Sequence, residues 1–318
     1  MASESTSTTF EEAINNEWIT SAFHDYARAW TGVTRFLKRY DLRGKATATV
    51  AVPNLVSILG TPSDGGSSVA TAFNSTEGTD LSNTQRQTTE VTISTIEYGL
   101  MSTVTDTVLE DTIDGVDFIN ILAGDAARVL VTAFEDDVCG RFVSFTAQVG
   151  STGSPMTFAN LDSAISGIRI AGIRAPDGLV AYLDDEQGLD FETLVTATGA
   201  STNLATHPGS ADRFMQIERD LNNGLTEGRI GVYKNINLYT TGLTDTTNTG
   251  ADVVGAVFVP STPANDSLAA LGMAVNREFT VAFERDESLR ATEIIATQRL
   301  GQGILLNGAG RAVVTDAP

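Results

Sequence analysis

The chain has 318 residues, 42% of them hydrophobic, enough to bury a large core in one domain or two lobes. Its 40 acidic residues outnumber 20 basic ones, and the net charge of −20 repels nucleic-acid phosphates, which argues against general DNA or RNA binding. No apolar run reaches membrane-spanning length, and MASESTSTTFEEA lacks the charged and apolar regions of a signal peptide, so the sequence predicts a cytosolic product without membrane association.

Lysine occurs only at Lys38, Lys45 and Lys234, so Arg carries most of the positive charge and suits fixed, bidentate interface pairs. The single cysteine, Cys139, excludes an intrachain disulfide; within an apolar helical pattern it reads as a buried structural thiol.

After a polar lead, Phe10, Ile14, Trp18, Phe23, Ala27 and Trp30 recur at near-helical spacing and predict an amphipathic helix. It ends over 32–44, where RFLKRYDLRGK gathers Arg35, Arg39 and Arg43. Such a cluster either complements a helix dipole or docks on an acidic neighbour.

From Ala46 the pattern has period two, with Ala46, Ala48, Val50 and Val52 on one face of a strand. Its partner is TTEVTISTIEYG, where the alternation slips near Thr95 as a bulge would make it. Between the two lie about 35 residues rich in Gly, Ser, Thr and Asn, a connection too long for an ordinary turn. It carries Leu55, Val56, Ile58, Leu59 and Phe73 and returns past Arg86. A projecting ribbon of this kind buries its apolar side chains only against another surface.

The clearest helix follows, predicted over 117–145, with Phe118, Leu122, Ala126, Leu130, Phe134, Val138, Phe142 and Phe145 on one stripe. Gly124 and Gly140 weaken it and leave it dependent on tertiary packing. A second helix starts at Met156 or Thr157, after Pro155, with Phe158, Leu161, Ile165 and Ile168 on one side. Beyond Pro176, strands and turns alternate with a predicted helix over 210–222. REFTVAFERDESLRATEIIATQRL then reads as a long hairpin whose charged tip holds Arg285, Asp286, Glu287 and Arg290. GQGILLNGAG reads as turns, and Ala312 to Thr315 as a last strand.

Sites of chemistry are sparse. His24 and His207 stand in no recognisable motif, and no HExxH, CxxC or GxxxxGK[ST] string occurs. The acids of DTIDGVD (Asp111, Asp114, Asp117) lack the ligand spacing of a calcium loop and read as a helix start; Asp184 to Glu186 read as a solvated turn. The sequence therefore predicts no catalytic residue, cofactor or metal.

The order of these parts, together with ATVAVPNLVSILG, EYGLMSTVTDTVLEDT, GRIGVYKNINLY and AVFVPSTPANDSLAA, resembles the major capsid proteins of tailed bacteriophages with the Hong Kong 97-like fold. The resemblance spans nearly the whole chain. It implies an α+β fold: an N-terminal arm (1–44), an extended β-hairpin loop (45–100), a peripheral domain (101–174 and 260–309) with a long spine helix (117–145), and an axial domain (175–259 and 310–318).

It further implies self-assembly as hexamers and pentamers into an icosahedral shell around double-stranded DNA, without sequence-specific DNA contact. The implied partners are other copies of the chain, a separate scaffolding protein, a portal and a decoration protein, and the implied location is the virion. Carried onto this sequence, the inter-subunit contacts would draw on Trp18, Trp30, Arg35, Arg39 and Arg43 of the arm, Leu55, Ile58, Leu59, Phe73 and Arg86 of the loop, and Arg285, Asp286, Glu287 and Arg290 of the hairpin. Some family members cross-link through a loop lysine, but here no Lys lies between Lys45 and Lys234, so a non-covalent shell is expected. Some relatives carry a long N-terminal scaffolding segment, whereas here a short polar lead precedes the first predicted helix, so a separate scaffolding protein is expected. Three other readings compete: an encapsulin-type compartment with the same fold, an acidic surface or adhesin β-protein, and a carboxylate hydrolase.

Overall fold

The computed structural model describes residues 32–55, 88–111, 115–199, 229–234 and 236–317. The predicted helices over 10–30 and 210–222 lie outside them. Two larger sheets and a two-stranded ribbon organise these residues.

The ribbon pairs β2 (Thr49–Leu55) with β3 (Thr88–Ser94), antiparallel, setting Val50 opposite Ile93 and Val52 opposite Val91. The slip expected near Thr95 is a change of sheet and not a bulge. Thr95 donates from its backbone N and from Oγ1 to the Ala48 carbonyl, each at 2.9 Å, and the chain then enters β4 (Ile96–Thr105) of the next sheet.

That sheet has the order β1 (Lys38–Asp41), β11 (Leu271–Asp286), β12 (Ala291–Ile304), β4, with only β1 parallel to its neighbour. The predicted charged hairpin is β11–β12. The larger sheet runs β5 (Gln148–Gly150), β13 (Gly310–Asp316), β10 (Asp252–Phe258), β6 (Val180–Asp184), β8 (Ile236–Thr241), β7 (Arg229–Tyr233), with β9 (Thr246–Thr247) paired to β10. Its centre is apolar on both faces: every residue of β6 and β10 is buried, as in strands covered from two sides.

Helix α1 (Asp106–Asp111) leads to the long helix α2 (Gly115–Cys139). The predicted range of 117–145 is corrected: the helix stops six residues earlier, and Phe142–Ser144 form a 3-10 turn. Gly140 N still donates to the Asp136 carbonyl at 2.8 Å, after which the chain tightens at this poor helix former. Phe142 and Phe145 are nonetheless fully buried, because a spacing of three is also the period of a 3-10 turn. Helix α3 (Phe158–Ile170) begins where expected: the Thr157 hydroxyl caps it by accepting from Asn160 N at 3.3 Å. Leu161, Ala164, Ile165 and Ile168 face the core. Helix α4 (Asp185–Gly199) follows β6 directly. β5 and α3, from the stretch that the resemblance places in the peripheral domain, pack on the seven-stranded sheet.

GQGILLNGAG is also corrected. Gly301 and Gly303 belong to β12 and are not turns. The base of the ribbon crosses β12 there: a Cβ on Gly301 would collide with the Ser94 carbonyl and Thr95 Cα, and one on Gly303 would press on Ile93. Since Ser94 O and Thr95 Cα are backbone, they cannot swing aside. Gly301→Ala should cost about 1–3 kcal/mol by overpacking, read as a lower urea midpoint at unchanged m-value.

Ile93 is 1% exposed and packs with Leu42, Ala269, Ala274 and Leu305, flanked by Tyr40, Val50 and Val52. The base of the ribbon therefore buries its apolar face on its own body, whereas the sequence predicts a ribbon that projects along its whole length. Residues 56–87 lie outside the described residues.

Candidate assembly surfaces

The four-stranded sheet is covered near Gly301 and Gly303 by the ribbon base, and on its other face by a helix. Helix α2 lies across it, burying Ala126, Ala127 and Leu130 against Phe279 and Ala296, with Tyr98 and Leu100 alongside. Two glutamines of β12 reach up to the helix backbone: Gln298 Nε2 donates to the Leu130 carbonyl at 2.9 Å and Gln302 Nε2 to the Asp137 carbonyl at 3.0 Å. The Tyr98 hydroxyl donates to the Asp137 carboxylate, and its ring meets Phe134 edge-on. The register sets Met101, Ile295 and Ala282 in one row across β4, β12 and β11, and Met101 is 59% exposed.

At the hairpin tip, Asp286 Oδ1 accepts from Ser288 N at 2.8 Å, Ser288 Oγ at 2.6 Å and Leu289 N at 3.2 Å, and these bonds hold its carboxyl below the usual range. Arg285 grips Asp106 at the start of α1 through two parallel bonds of 2.5 and 2.6 Å, which lower the Asp106 carboxyl. Arg290 has a positive φ of 48° and closes the turn. The tip is thus a fixed turn that presents Glu287 and Leu289 outward, and Leu289 is 60% exposed. The sequence reading named the charges and missed Leu289, whose signal was an isolated Leu in a charged turn.

The predicted arm residues divide in a similar way. Arg39 and Arg43 both pair with Glu278, Arg43 also holds Asp41, and Lys38 meets Asp266 at 2.7 Å. Of these exposed pairs Arg39–Glu278 ties β1 to β11, and together they leave little of the cluster's charge free to meet a neighbour. Arg35 lies over the Tyr239 ring at 4.4 Å and the Phe36 ring at 4.7 Å. The backbone of Leu55 ends β2 opposite Thr88. Trp18, Trp30, Ile58, Leu59, Phe73 and Arg86 lie outside the described residues.

One contact escaped the sequence reading. Glu135 of α2, 4% exposed, accepts from Gly32 N at 2.9 Å, Val33 N at 2.8 Å, Thr34 N at 3.1 Å and Thr34 Oγ1 at 2.5 Å. It caps the 3-10 turn Val33–Phe36 that leads into β1. Burial pushes its carboxyl above the ordinary range, against the lowering effect of the four donors. Spacing could not reveal it, since Glu135 lies beside the apolar stripe.

Among the described residues no group of three His, Cys, Asp or Glu side chains is placed to hold a metal ion, and no helix is long and apolar enough to cross a membrane. Cys139 is buried, and burial raises its thiol far above the ordinary value.

A long hairpin and β4 packed under a long helix, a second larger sheet and a ribbon crossing between them make up the Hong Kong 97-like fold of capsid shell proteins. Solved structures match over nearly the full length. That of Mycobacterium phage Che8 has a TM-score of 0.60 at 16% identity, covering 89% of this chain and 92% of the other. The mature capsid of bacteriophage PhiM1 has a TM-score of 0.59 at 11% identity, covering 91% and 89%. The virus-like particle from Pyrococcus furiosus has a TM-score of 0.55 at 13% identity, covering 94% and 98%. No protein-family model and no curated protein matches the sequence.

Proposed function

We propose that this chain is the major capsid protein of a tailed bacteriophage, assembling as hexamers and pentamers into an icosahedral shell around double-stranded DNA. The observation that carries the reading is the length of the match: 89% of this chain superposes on 92% of the Che8 chain, so no large domain is left over for another task. In this reading the shell encloses DNA without sequence-specific contact, consistent with a net charge of −20. The chain has no catalytic role, acts in the virion, and works with a scaffolding protein, a portal and a decoration protein.

In this reading the four-stranded sheet with α2 serves as the peripheral domain, and the seven-stranded sheet, with β5 and α3 drawn from the stretch 101–174, serves as the axial domain together with 175–259 and 310–318. The arm (1–44) and loop (45–100) reach neighbouring copies. Exposed Met101 and Leu289 join the candidate contacts. With no Lys between Lys45 and Lys234, the shell is held without a loop-lysine cross-link.

A second reading, an encapsulin-type compartment, draws on the Pyrococcus furiosus particle, which covers 94% of this chain. Negative-stain microscopy of the purified protein tests both: closed shells are expected, and monomers under all salt conditions would overturn them. Packaged DNA selects the first reading and packaged protein the second. A denaturing gel should show a single subunit band.

A further inference from the structure

In a chain with only 20 basic residues, two adjoining hollows of about 350 and 550 Å³ share Arg169 and Lys234. They lie beside the C-terminal end of α3, floored by Leu179 and Ile236 where β6 and β8 begin. Lys234 is already held by Asp162 at 2.5 Å. Arg169 and Arg174 are exposed, and among the described residues neither meets a carboxylate. At the rim, Ile170 is 83% exposed, so the site offers an apolar contact beside two guanidinium groups that meet no carboxylate among the described residues.

The opposite end of the same two strands is acidic. β6 and β8 run parallel, with Asp184 beside Thr241 at their far ends, about 16 Å away at ~3.3 Å per residue. There the turn after β8 brings Asp245 next to Gly140 and Asp136, and Asp185 next to Gly242. Asp136, Asp185 and Asp245 are exposed and meet no cation among the described residues; nearby Arg141 leans on Gln302 at 3.5 Å. Partial burial, and then the neighbouring charges of Asp245 and Asp137, raise the Asp136 carboxyl.

We propose that the groove of Arg169, Arg174 and Ile170 receives the Asp136–Asp245 corner of a second copy of this chain, forming a head-to-tail contact around a ring. The inference rests on the shell reading and names the surfaces that would close its rings. A two-fold contact centred on either patch would set groove against groove or acid against acid. Complementary patches at opposite ends of one pair of strands suit a heterologous contact, which repeats until the rotation closes. Charge complementarity identifies the occupant: the chain is itself strongly acidic, and the contact sets against each other charges of opposite sign that have no partner among the described residues.

Two charge-reversed proteins test it, R169E/R174E and D136K/D245K, each first shown by melting to be folded. Mixed in equal amounts, they can alternate so that every groove meets a corner of opposite sign. The expected result is that each alone loses ring formation at least tenfold in the concentration required, and that the mixture recovers even-numbered rings. Wild-type assembly by either protein alone would overturn the contact while leaving the shell reading intact, as would a mixture of two folded proteins that fails to recover. A wild-type chain that never forms rings or shells would instead remove the shell reading itself.

Discussion

Replacing Glu135 with alanine should lower the stability of the unassembled subunit by about 3–5 kcal/mol, the range for removing one partner from a buried ionic hydrogen-bond network. The wild-type carboxylate receives Gly32, Val33 and Thr34 backbone N–H groups and the Thr34 hydroxyl at a site 4% exposed. Alanine leaves these donors with no carboxylate to satisfy them, at a site where the Tyr182 phenol already fills the space beside Gly32. The loss should appear as a lower urea midpoint. It should also free the 3-10 turn Val33–Phe36, measured as faster amide exchange at 32–36 than in the α2 core. A midpoint within 0.5 kcal/mol of wild type would mean that water replaces the carboxylate at no cost.

The same residue gives a pH test. Its folded value is raised, so the native state binds a proton more tightly than the unfolded chain does. Its contribution is complete below the unfolded Glu value of about 4.3 and is lost as pH rises through the folded value. The repulsion of the acidic surface follows the same direction but is shared by an E135Q protein. The stability difference, wild type minus E135Q, should therefore shrink from pH 4 towards pH 7. A flat difference would mean that the carboxyl titrates as it does in the unfolded chain.

Local periodicity made much of this fold legible. The apolar stripe located α2, the Pro155–Thr157 start located α3, and alternation located β2, β3 and the β11–β12 hairpin, because each pattern repeats within one element. What periodicity could not carry was the relation between elements. Phe142 and Phe145 continued the stripe in sequence although the helix had ended, since two residues cannot separate a period of 3.6 from one of 3. Gly301 and Gly303 looked like turn glycines because their reason is a crossing strand distant in sequence. The basic cluster looked available for a neighbour, whereas Glu278, more than 200 positions away, pairs with Arg39 and Arg43. Leu289, Met101 and the Arg169–Arg174 groove were invisible for the same reason: exposure is a property of the assembled sheets.

Cutting the ribbon back should abolish shells while leaving the subunit folded. Leu55 and Thr88 face each other in register, so an Asn-Gly pair replacing 56–87 can close the hairpin with a two-residue turn. The apolar contacts of the ribbon base, Val50 and Val52 with Ile93 over Leu305, lie on the retained side of the cut. The shortened subunit should therefore melt within about 1 kcal/mol of wild type, the ordinary range for changes that spare the core. Assembly should fail, because a shell built from an acidic chain needs contacts of obligate size, about 2,000 Å² or more per pair, to outweigh self-repulsion. In the proposed reading, 56–87 with Ile58, Leu59 and Phe73 supplies much of that area. Shells of wild-type diameter from the shortened chain would show that the contacts lie elsewhere. A shortened chain that no longer folds would show that the removed residues serve their own body, and the case for an inter-subunit loop would go with it.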